Sequence, residues 1–303
     1  MELIKSGSNI NFVGKMKTAF LVSVIMIVIS VASVILHGGL NYGIDFAGGT
    51  LVQIKFQTEP PIDSVRNAFK TIGLESSIIQ SFGSNEVVVR TAESSSDSKG
   101  LSGKIDDALM AAFGKGSYEI RRVEVVGPKV GKDLTRKGLL AIVFSWVGML
   151  IYIAWRFEFR YAVGGILALV HDVIITVGIF SILNKEFDLT IVAALLTIIG
   201  YSINDTIVVF DRIRENTRKN IKQPLGDTIN ASINQTLSRT ILTALTVFLV
   251  VVVLFFFGGA VIHDFAFALL VGVIIGTYSS IFIASPIVLV WENIRPSNIK
   301  RKK

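Results

Sequence analysis

The chain has 303 residues, 51% of them hydrophobic, with a mean hydropathy of +0.62 and a formal net charge of +7. Soluble proteins of this length are rarely so apolar, so most of the chain is expected in lipid, and the basic residues, which cluster beside apolar runs, indicate membrane topology rather than nucleic-acid binding. The absence of cysteine excludes disulfides, iron–sulfur ligation and thiol catalysis, and three scattered histidines argue against a metal site.

The first apolar run, residues 18–37, follows a short basic segment, residues 1–17. The run is longer than the apolar part of a typical signal peptide, and its small residues Ala32 and Ser33 lie inside it rather than beyond its end. We therefore expect an uncleaved transmembrane anchor rather than a removable signal peptide.

A glycine-rich segment, residues 43–49, joins this anchor to the next region. Its sequence is Gly-Ile-Asp-Phe-Ala-Gly-Gly, which indicates either a structural turn or a hinge at Gly43, Asp45, Gly48 and Gly49. A phosphate-binding loop is disfavoured because no strand precedes the segment and no helix start follows it.

Residues 38–137 are predicted to form one small extracytoplasmic domain with its linkers. Alternating and β-branched stretches predict strands, and apolar periodicity between breakers predicts helices. The expected elements are a strand at 50–57, a helix at 61–72, strands at 76–82 and 86–91, a polar loop at 92–100, a helix at 101–113 and a strand at 118–126. This order is typical of a ferredoxin-like α+β fold. The domain carries no catalytic cluster, so we expect a docking or substrate-contacting module and not an enzyme.

Five further apolar runs follow, at residues 138–155, 161–183, 189–210, 240–257 and 265–291. A cytoplasmic loop with an amphipathic helix is expected at 211–239, and a basic tail at 292–303. The basic residues of the short connections place both termini in the cytoplasm. The sequence thus predicts a polytopic α-helical membrane protein with six transmembrane helices and a domain between the first two. Pro286 is expected to kink or end the last helix.

The third span carries adjacent His171 and Asp172 near mid-bilayer. A buried histidine and aspartate can be a structural hydrogen-bonded couple, or they can relay protons, because histidine titrates closest to neutral pH. The residues alone leave both interpretations open.

The fourth span places Asp205 at membrane depth, where a carboxylate is costly and is usually functional. Helical periodicity puts Asp205 on one face with Tyr201, Asn204 and small residues, and we expect this face to point inward, with branched aliphatics towards lipid. Arg239 of the next span is expected to pair with Asp205, the alternative being that it extends to the membrane surface.

Such a pair could switch proton affinity. Burial favours the neutral carboxyl group, whereas an adjacent guanidinium favours the anion, so moving Arg239 would load or release a proton at Asp205. In the sixth span, Gly272, Gly276 and Ser280 belong to a ladder of small residues that predicts close helix packing rather than chemistry.

Several strings resemble the SecF branch of the SecD/SecF family of bacterial protein-export membrane proteins, over nearly the whole chain. They are residues 43–49, 171–172, 198–206, 210–216, 238–240 and 276–280. The most specific are Gly-Tyr-Ser-Ile-Asn-Asp-Thr at 200–206 and Asp-Arg-Ile-Arg-Glu-Asn at 211–216.

The resemblance implies that the membrane helices form half of an RND-type bundle in the bacterial cytoplasmic membrane, with SecD as the other half. It implies partnership with the SecYEG channel, YajC and YidC, contact with a translocating polypeptide, and export driven by the proton gradient without a cofactor. It also implies that Asp205 and Arg239 are proton-pathway residues.

Two rival functions remain open. One is half of an RND efflux pump or lipid exporter, although residues 50–126 are too few to form a substrate tunnel alone. The other is a purely structural chaperone of the channel, without ion movement.

Overall fold

The computed structural model describes residues 9–82, 85–92 and 98–294. The chain divides into two compact units. We call Met1–Leu40, Leu140–Lys185 and Thr190–Lys303 the membrane unit, and Asn41–Leu139 with Glu186–Leu189 the sheet unit. Residues 1–8 and 295–303, with Lys5 and the basic tail used for the topology prediction, lie outside the described residues, as does most of the predicted hairpin turn at 83–85.

The sheet unit has the predicted ferredoxin-like fold. A four-residue helix, α2 (Ile44–Ala47), precedes β1 (Gly49–Phe56), α3 (Ile62–Thr71), β2 (Ile78–Phe82), β3 (Glu86–Thr91), α4 (Ser98–Phe113) and β4 (Tyr118–Val126). The strands form one sheet in the order β2-β3-β1-β4, in which every neighbouring pair is antiparallel. The split βαβ expectation is therefore confirmed, and α4 begins at Ser98, inside the stretch predicted to be loop.

The core of this unit is apolar because strand residues alternate between the two sheet faces. Val52, Ile54 and Phe56 of β1 point to the face covered by α3 and α4, where Phe69 and Leu109 are buried against them. A register shift lies between Gln53 and Ile54 where β1 pairs with β4.

The glycine-rich segment is bound to residues 186–189 inside the sheet unit. The Gly43 N–H donates to the Phe187 carbonyl at 2.9 Å, and an Asp45 carboxylate oxygen accepts from the Leu189 N–H at 3.0 Å. A Cβ on Gly43 would lie 2.7 Å from a Glu186 carboxylate oxygen, so a larger residue there would require the Glu186 side chain to move. The predicted hinge residues thus lie in a hydrogen-bonded turn, and whether that turn hinges stays a prediction.

The remaining helices are long and apolar. They are α1 (Phe12–Leu36), α5 (Pro128–Arg156), α6 (Phe159–Ile182), α7 (Leu189–Lys219), α8 (Leu225–Phe257) and α9 (Ala260–Ser279), which continues through a π-helical turn (Ser280–Ala284) into α10 (Ser285–Ile294). Within the described residues, 6 helical stretches are long and apolar enough to span a membrane. The expected multi-pass fold is confirmed.

The predicted cytoplasmic helix is not a separate element. α8 begins at Leu225 and continues without a break to Phe257, and α7 extends to Lys219. The stripe formed by Leu225, Ile229, Ile233 and Leu237 is buried, so packing continues along the same helix beyond the predicted span.

The break expected at Pro286 takes the form of the π-helical turn just before it. Proline has no N–H for the carbonyl four residues earlier, and the loss of that bond favours a wider turn. The Ser285 hydroxyl donates to the Ser280 carbonyl five residues back, at 3.1 Å. The turn begins at Ser280, one of the predicted packing residues.

Candidate functional site

The predicted orientation of α7 is wrong within this chain. Thr197, Gly200 and Asn204 of the polar face are exposed, whereas Leu195 and Ile203 of the aliphatic face are buried. The aliphatic face packs inside the membrane unit, where Ile203 meets Gly165 of α6. Helical periodicity separated the two faces correctly, but it carries no information on which face meets this chain and which meets something else.

Close packing of α7 on α9 depends on two glycines. A Cβ on Gly272 would overlap the Ile198 side chain, and a Cβ on Gly276 would lie 3.0 Å from that of Ser202. The absence of side chains at these positions lets the helix backbones approach and brings the hydroxyl groups of the two helices together.

Asp205 lies partly buried on α7, facing α8. Its Oδ1 accepts a hydrogen bond from the Thr240 hydroxyl at 2.6 Å. Its Oδ2 is buried and accepts no hydrogen bond from any of the described residues. An unpaired buried carboxylate oxygen is costly as an anion, and a proton on that oxygen removes the cost. Tyr201, half-buried one turn earlier, lies beside Thr277 of α9.

Arg239 makes no ion pair with Asp205 among residues 9–82, 85–92 and 98–294, contrary to the predicted pairing. Arg239 is exposed, and its neighbour Thr240 takes the place beside the carboxylate. Consecutive helix positions diverge by about 100°, so the hydroxyl and the guanidinium cannot share one side of α8.

Arg239 instead lines a polar cleft of about 220 Å³ between α7 and α8. The other lining residues are Val208, Asp211, Arg212, Glu215, Gln235 and Thr236. Val208 and Thr236 stand about one turn from Asp205 and Thr240 on their respective helices. The cleft therefore approaches the carboxyl group from the end of these helices where the 211–216 string lies.

That string also ties α7 to α8. The Arg212 Nε–H donates to the Gln235 side chain at 2.6 Å, and the Asn216 amide donates to the Ser232 hydroxyl at 2.9 Å. From the sequence, Arg212 was used only for the topology and the resemblance, and Asn216 only for the resemblance, although their spacing of four residues on one helix face was a usable signal.

His171 and Asp172 lie in a buried polar network that joins four elements. Asp172 Oδ1 is 2.9 Å from His171 Nδ1, and Asp172 Oδ2 accepts from the Ser202 hydroxyl at 2.6 Å and the Ser279 hydroxyl at 2.8 Å. His171 Nε2 lies 3.2 Å from the hydroxyl of Ser23 on α1. The predicted couple thus has partners on α1, α7 and α9 that the sequence did not identify.

Hydroxyl groups connect this network with the surroundings of Asp205. The Thr206 hydroxyl donates to Ser280 Oγ at 3.1 Å, next to Ser279 in the chain. The signals for these missed residues are an i, i+4 hydroxyl pair, Ser202 and Thr206, and the consecutive Ser279 and Ser280.

Residues 106–294 match a family model described as "Protein export membrane protein SecD/SecF, C-terminal", and residues 33–60 match a "SecD/SecF GG Motif" model. The second match covers the glycine-rich segment at 43–49.

Curated relatives agree over almost their whole length. The chain is 49% identical over 296 residues to a protein of Magnetococcus marinus named "Protein translocase subunit SecF", covering 96% of this chain and 95% of that protein. It is 45% identical over 307 residues to a protein of the same name from Vibrio alginolyticus, covering 99% of this chain and 97% of that one.

Among solved structures, the chain is similar to SecDF of Thermus thermophilus, described as a translocon-associated membrane protein. The TM-score is 0.83 at 36% identity. The alignment covers 95% of this chain but only 39% of the solved one, so this chain spans about two fifths of that structure.

Proposed function

Because the chain belongs to the SecD/SecF family of protein-export membrane proteins, we propose that it uses the proton motive force, together with a SecD-type partner, to promote protein export. The observation that carries this proposal is the Asp205 carboxyl group. It lies in an apolar span, one oxygen is bound to Thr240, and the other is buried and accepts no hydrogen bond within the part of the chain that the structure describes.

Asp205 would act as the proton carrier. A proton on Oδ2 satisfies the unpaired oxygen, and approach of a cation such as Arg239 from the neighbouring cleft would favour the anion and release the proton. The protein would alternate between an arrangement in which Asp205 is open to one aqueous phase and an arrangement in which it is open to the other. Proton movement would then be coupled to a conformational cycle. The driving force is about 2.3 kcal/mol per charge per 100 mV, plus any pH gradient.

The exposed polar face of α7 supports a SecD-type partner. Thr197, Gly200 and Asn204 are exposed in an apolar span, and exposed polar groups are unfavourable against lipid. The solved SecDF chain contains a further part that this chain does not match. We propose that a SecD-type subunit covers this face and completes the surroundings of Asp205, with Tyr201 and Asn204 at the junction.

The same proposal sets location and wider partners. The protein would reside in the bacterial cytoplasmic membrane with both termini in the cytoplasm, as the basic residues of its short connections favour. The sheet unit would contact the partner or the emerging polypeptide on the far side. SecYEG would supply the channel, with YajC and YidC as accessory partners.

The deciding experiment is proton flux and polypeptide export in vesicles that contain this chain, a SecD-type partner and the channel. We expect Asp205→Asn to lower proton flux by about 100-fold or more, because the amide cannot carry the proton, and to remove the gradient-dependent part of export. Asp264→Asn is the matched control, since Asp264 is another carboxylate of the membrane unit and is paired with Lys185 at 2.6 Å.

Unchanged flux and unchanged export in Asp205→Asn would contradict the proposal and favour the structural-chaperone alternative. Unchanged export together with altered efflux of a drug or lipid would favour the efflux-pump alternative.

A further inference from the structure

The His171–Asp172 pair has no task in a cycle that uses Asp205 alone. Both side chains are almost fully buried, at 3% and 1% exposure. They lie where α6 meets α1, α7 and α9, and every polar atom of the pair has a partner. The directions of these hydrogen bonds indicate how many protons the pair holds.

The bond made by the Tyr278 hydroxyl determines where the hydrogens of the neighbouring groups lie. This hydroxyl has one hydrogen, which it donates to the backbone carbonyl of Ala19 at 2.7 Å, because a carbonyl can only accept. The Ser23 hydroxyl, 3.0 Å from the Tyr278 oxygen, must then be the donor of that contact. The Ser23 oxygen is left to accept from His171 Nε2 at 3.2 Å, which places a hydrogen on Nε2.

The contact at the other ring nitrogen of His171, Nδ1, requires a second proton. The contact of 2.9 Å between His171 Nδ1 and Asp172 Oδ1 needs one hydrogen between the two atoms. With Nε2 already protonated, the pair holds one proton more than a neutral imidazole beside a carboxylate. It is either an imidazolium with a carboxylate or an imidazole with a carboxylic acid, and both have zero net charge.

The surroundings favour this loaded form. On one side His171 and Ser23 border a cavity of about 480 Å³ walled mainly by aliphatic and aromatic side chains. The groups that face the pair are Ser23 from α1, Ser202 from α7, and Tyr278 and Ser279 from α9. None of these is a cation, so a proton takes the role that a paired Lys or Arg takes for other buried carboxylates.

Charged groups on the elements around the pair either have other ion-pair partners or point to other helices. Arg160 of α6 is paired with Glu158 and Glu292, the latter on α10. Asp205 of α7 lies about one turn from Ser202 and points to Thr240 of α8. Among the described residues, the only ion-pair partner of Asp172 is thus its neighbour in the chain.

We propose that His171–Asp172 is a second proton-binding site, loaded in this arrangement and coupled to Asp205. The proposal rests on the proposed proton-driven function. On release, the Nε2 proton passes to water to give hydronium, Ser23 turns its hydroxyl to donate to Nε2, and the pair is left with one negative charge. Since Ser23 then no longer donates to Tyr278, one of the two hydrogen bonds between Tyr278 of α9 and α1 is lost, while the one to the Ala19 carbonyl remains.

Coupling to Asp205 runs through the hydroxyl groups that Asp172 holds. Ser202 and Ser279 bind Asp172, while Thr206, one turn after Ser202, binds Ser280, the residue after Ser279. Ser280 is also where the π-helical turn begins, and such turns are frequent at functional sites. A change of charge at the His171–Asp172 pair therefore acts on α7, which carries Asp205, and on α9.

Nitrogen NMR of the full chain with its SecD-type partner in lipid tests the proton count. Labelled histidine gives signals from only 3 side chains, His37, His171 and His263, and His171→Asn assigns the relevant one. We expect both ring nitrogens of His171 to carry hydrogen at about pH 7, and the ring to become neutral in Asp172→Asn. A wild-type ring that stays neutral from about pH 5 to about pH 8, with a bare carboxylate at Asp172, would overturn the proposal.

Proton flux in the export vesicles tests the role. We expect His171→Asn and Ser23→Ala to lower flux and to change its dependence on pH, because Asn cannot bind the proton and Ala cannot accept the hydrogen of Nε2. Ser181→Ala is the matched control, because its 2.9 Å hydrogen bond to Ser33 joins the same two helices, α1 and α6, outside the His171–Asp172 network, and it should leave flux unchanged.

The flux measurements distinguish failure of the proton-driven function from failure of the second proton-binding site. If Asp205→Asn abolishes flux while folded His171→Asn and Ser23→Ala leave flux and its pH dependence unchanged, the proton-driven function stands and the second site falls. If Asp205→Asn leaves flux unchanged, the proton-driven function falls, and the coupling falls with it. In that case the NMR result for wild-type His171 still decides the protonation of the pair.

Discussion

Both units of this chain bury apolar side chains, but the membrane unit also buries a titratable pair. The sheet unit has an apolar core, with Val52, Ile54 and Phe69 at 0–1% exposure. The membrane unit buries His171 and Asp172 just as deeply, among serines, and exposes aliphatic residues on its outer helices. In water, burial is favoured for apolar groups, whereas in lipid polar groups gain from finding each other. A polar residue in an apolar run of the membrane unit therefore predicts a buried polar partner, whereas apolar residues are buried in both units.

The largest effect on stability is expected in the sheet unit. Ile54→Ala removes a fully buried side chain from the core under α3 and α4 and should destabilise this unit by about 2–5 kcal/mol. Hydrogen exchange of the full chain in lipid measures it: peptides from β1, β3 and α4 should exchange faster. Lys55→Ala, at the neighbouring and less buried position, is the control. Equal acceleration in both variants would contradict an apolar core as the source of stability.

A smaller effect is expected in the membrane unit from added volume. Gly272→Ala places a methyl group on the Ile198 side chain where α9 meets α7, and overpacking of this kind costs about 1–3 kcal/mol. Thermal unfolding in detergent or lipid should show the loss. Gly148→Ala on α5 is the matched control, since its added methyl group meets nothing within 4 Å. If both variants unfold alike, close approach of α7 and α9 does not contribute to stability.

The sequence predicted the sheet unit well because its signals are local. Alternation of apolar and polar residues predicts the strands, and residues that break secondary structure predict where they end. The order of the elements then leaves few ways to pair the strands. The membrane spans were equally accessible from composition. The orientation of α7 was not, because Leu195 and Asn204 are on opposite faces whichever side is buried. The choice between the faces depends on neighbours distant in sequence, such as Gly165 and Gly272.

The acidic residues of the candidate site could be predicted from the sequence, but their hydrogen-bond partners could not. A carboxylate in an apolar run identifies Asp205 and Asp172 as unusual. The preference for Thr240 over Arg239 next to Asp205 depends on the rotation of α8, which a period of 3.6 residues does not fix. The bonds of Asp172 to Ser202 and Ser279 depend on how three helices meet.

Tyr118 is a partly buried polar residue of the sheet unit, and it sharpens the comparison. Its hydroxyl donates to an Asp106 carboxylate oxygen at 2.7 Å. Burial, then the hydrogen bond to Asp106, then the charges of Asp106 and Asp107 raise the pKa of the phenol above its usual value. A raised pKa in the folded state stabilises the fold below the unfolded pKa of about 10, and this stabilisation is lost as pH rises through the folded value.

Tyr118→Phe should therefore cost about 1 kcal/mol at neutral pH, because one hydrogen bond is lost and Asp106 remains able to bind water. Above about pH 10 the difference in the free energy of unfolding between the variant and the wild type should shrink, because only the wild type has a phenol at position 118 that loses its proton on unfolding. Chemical denaturation of the full chain at several pH values measures both. Tyr42→Phe is the control, since Tyr42 is an exposed tyrosine of the same unit. A difference that grows with pH would mean that the phenolate, not the phenol, is the form that the folded sheet unit favours.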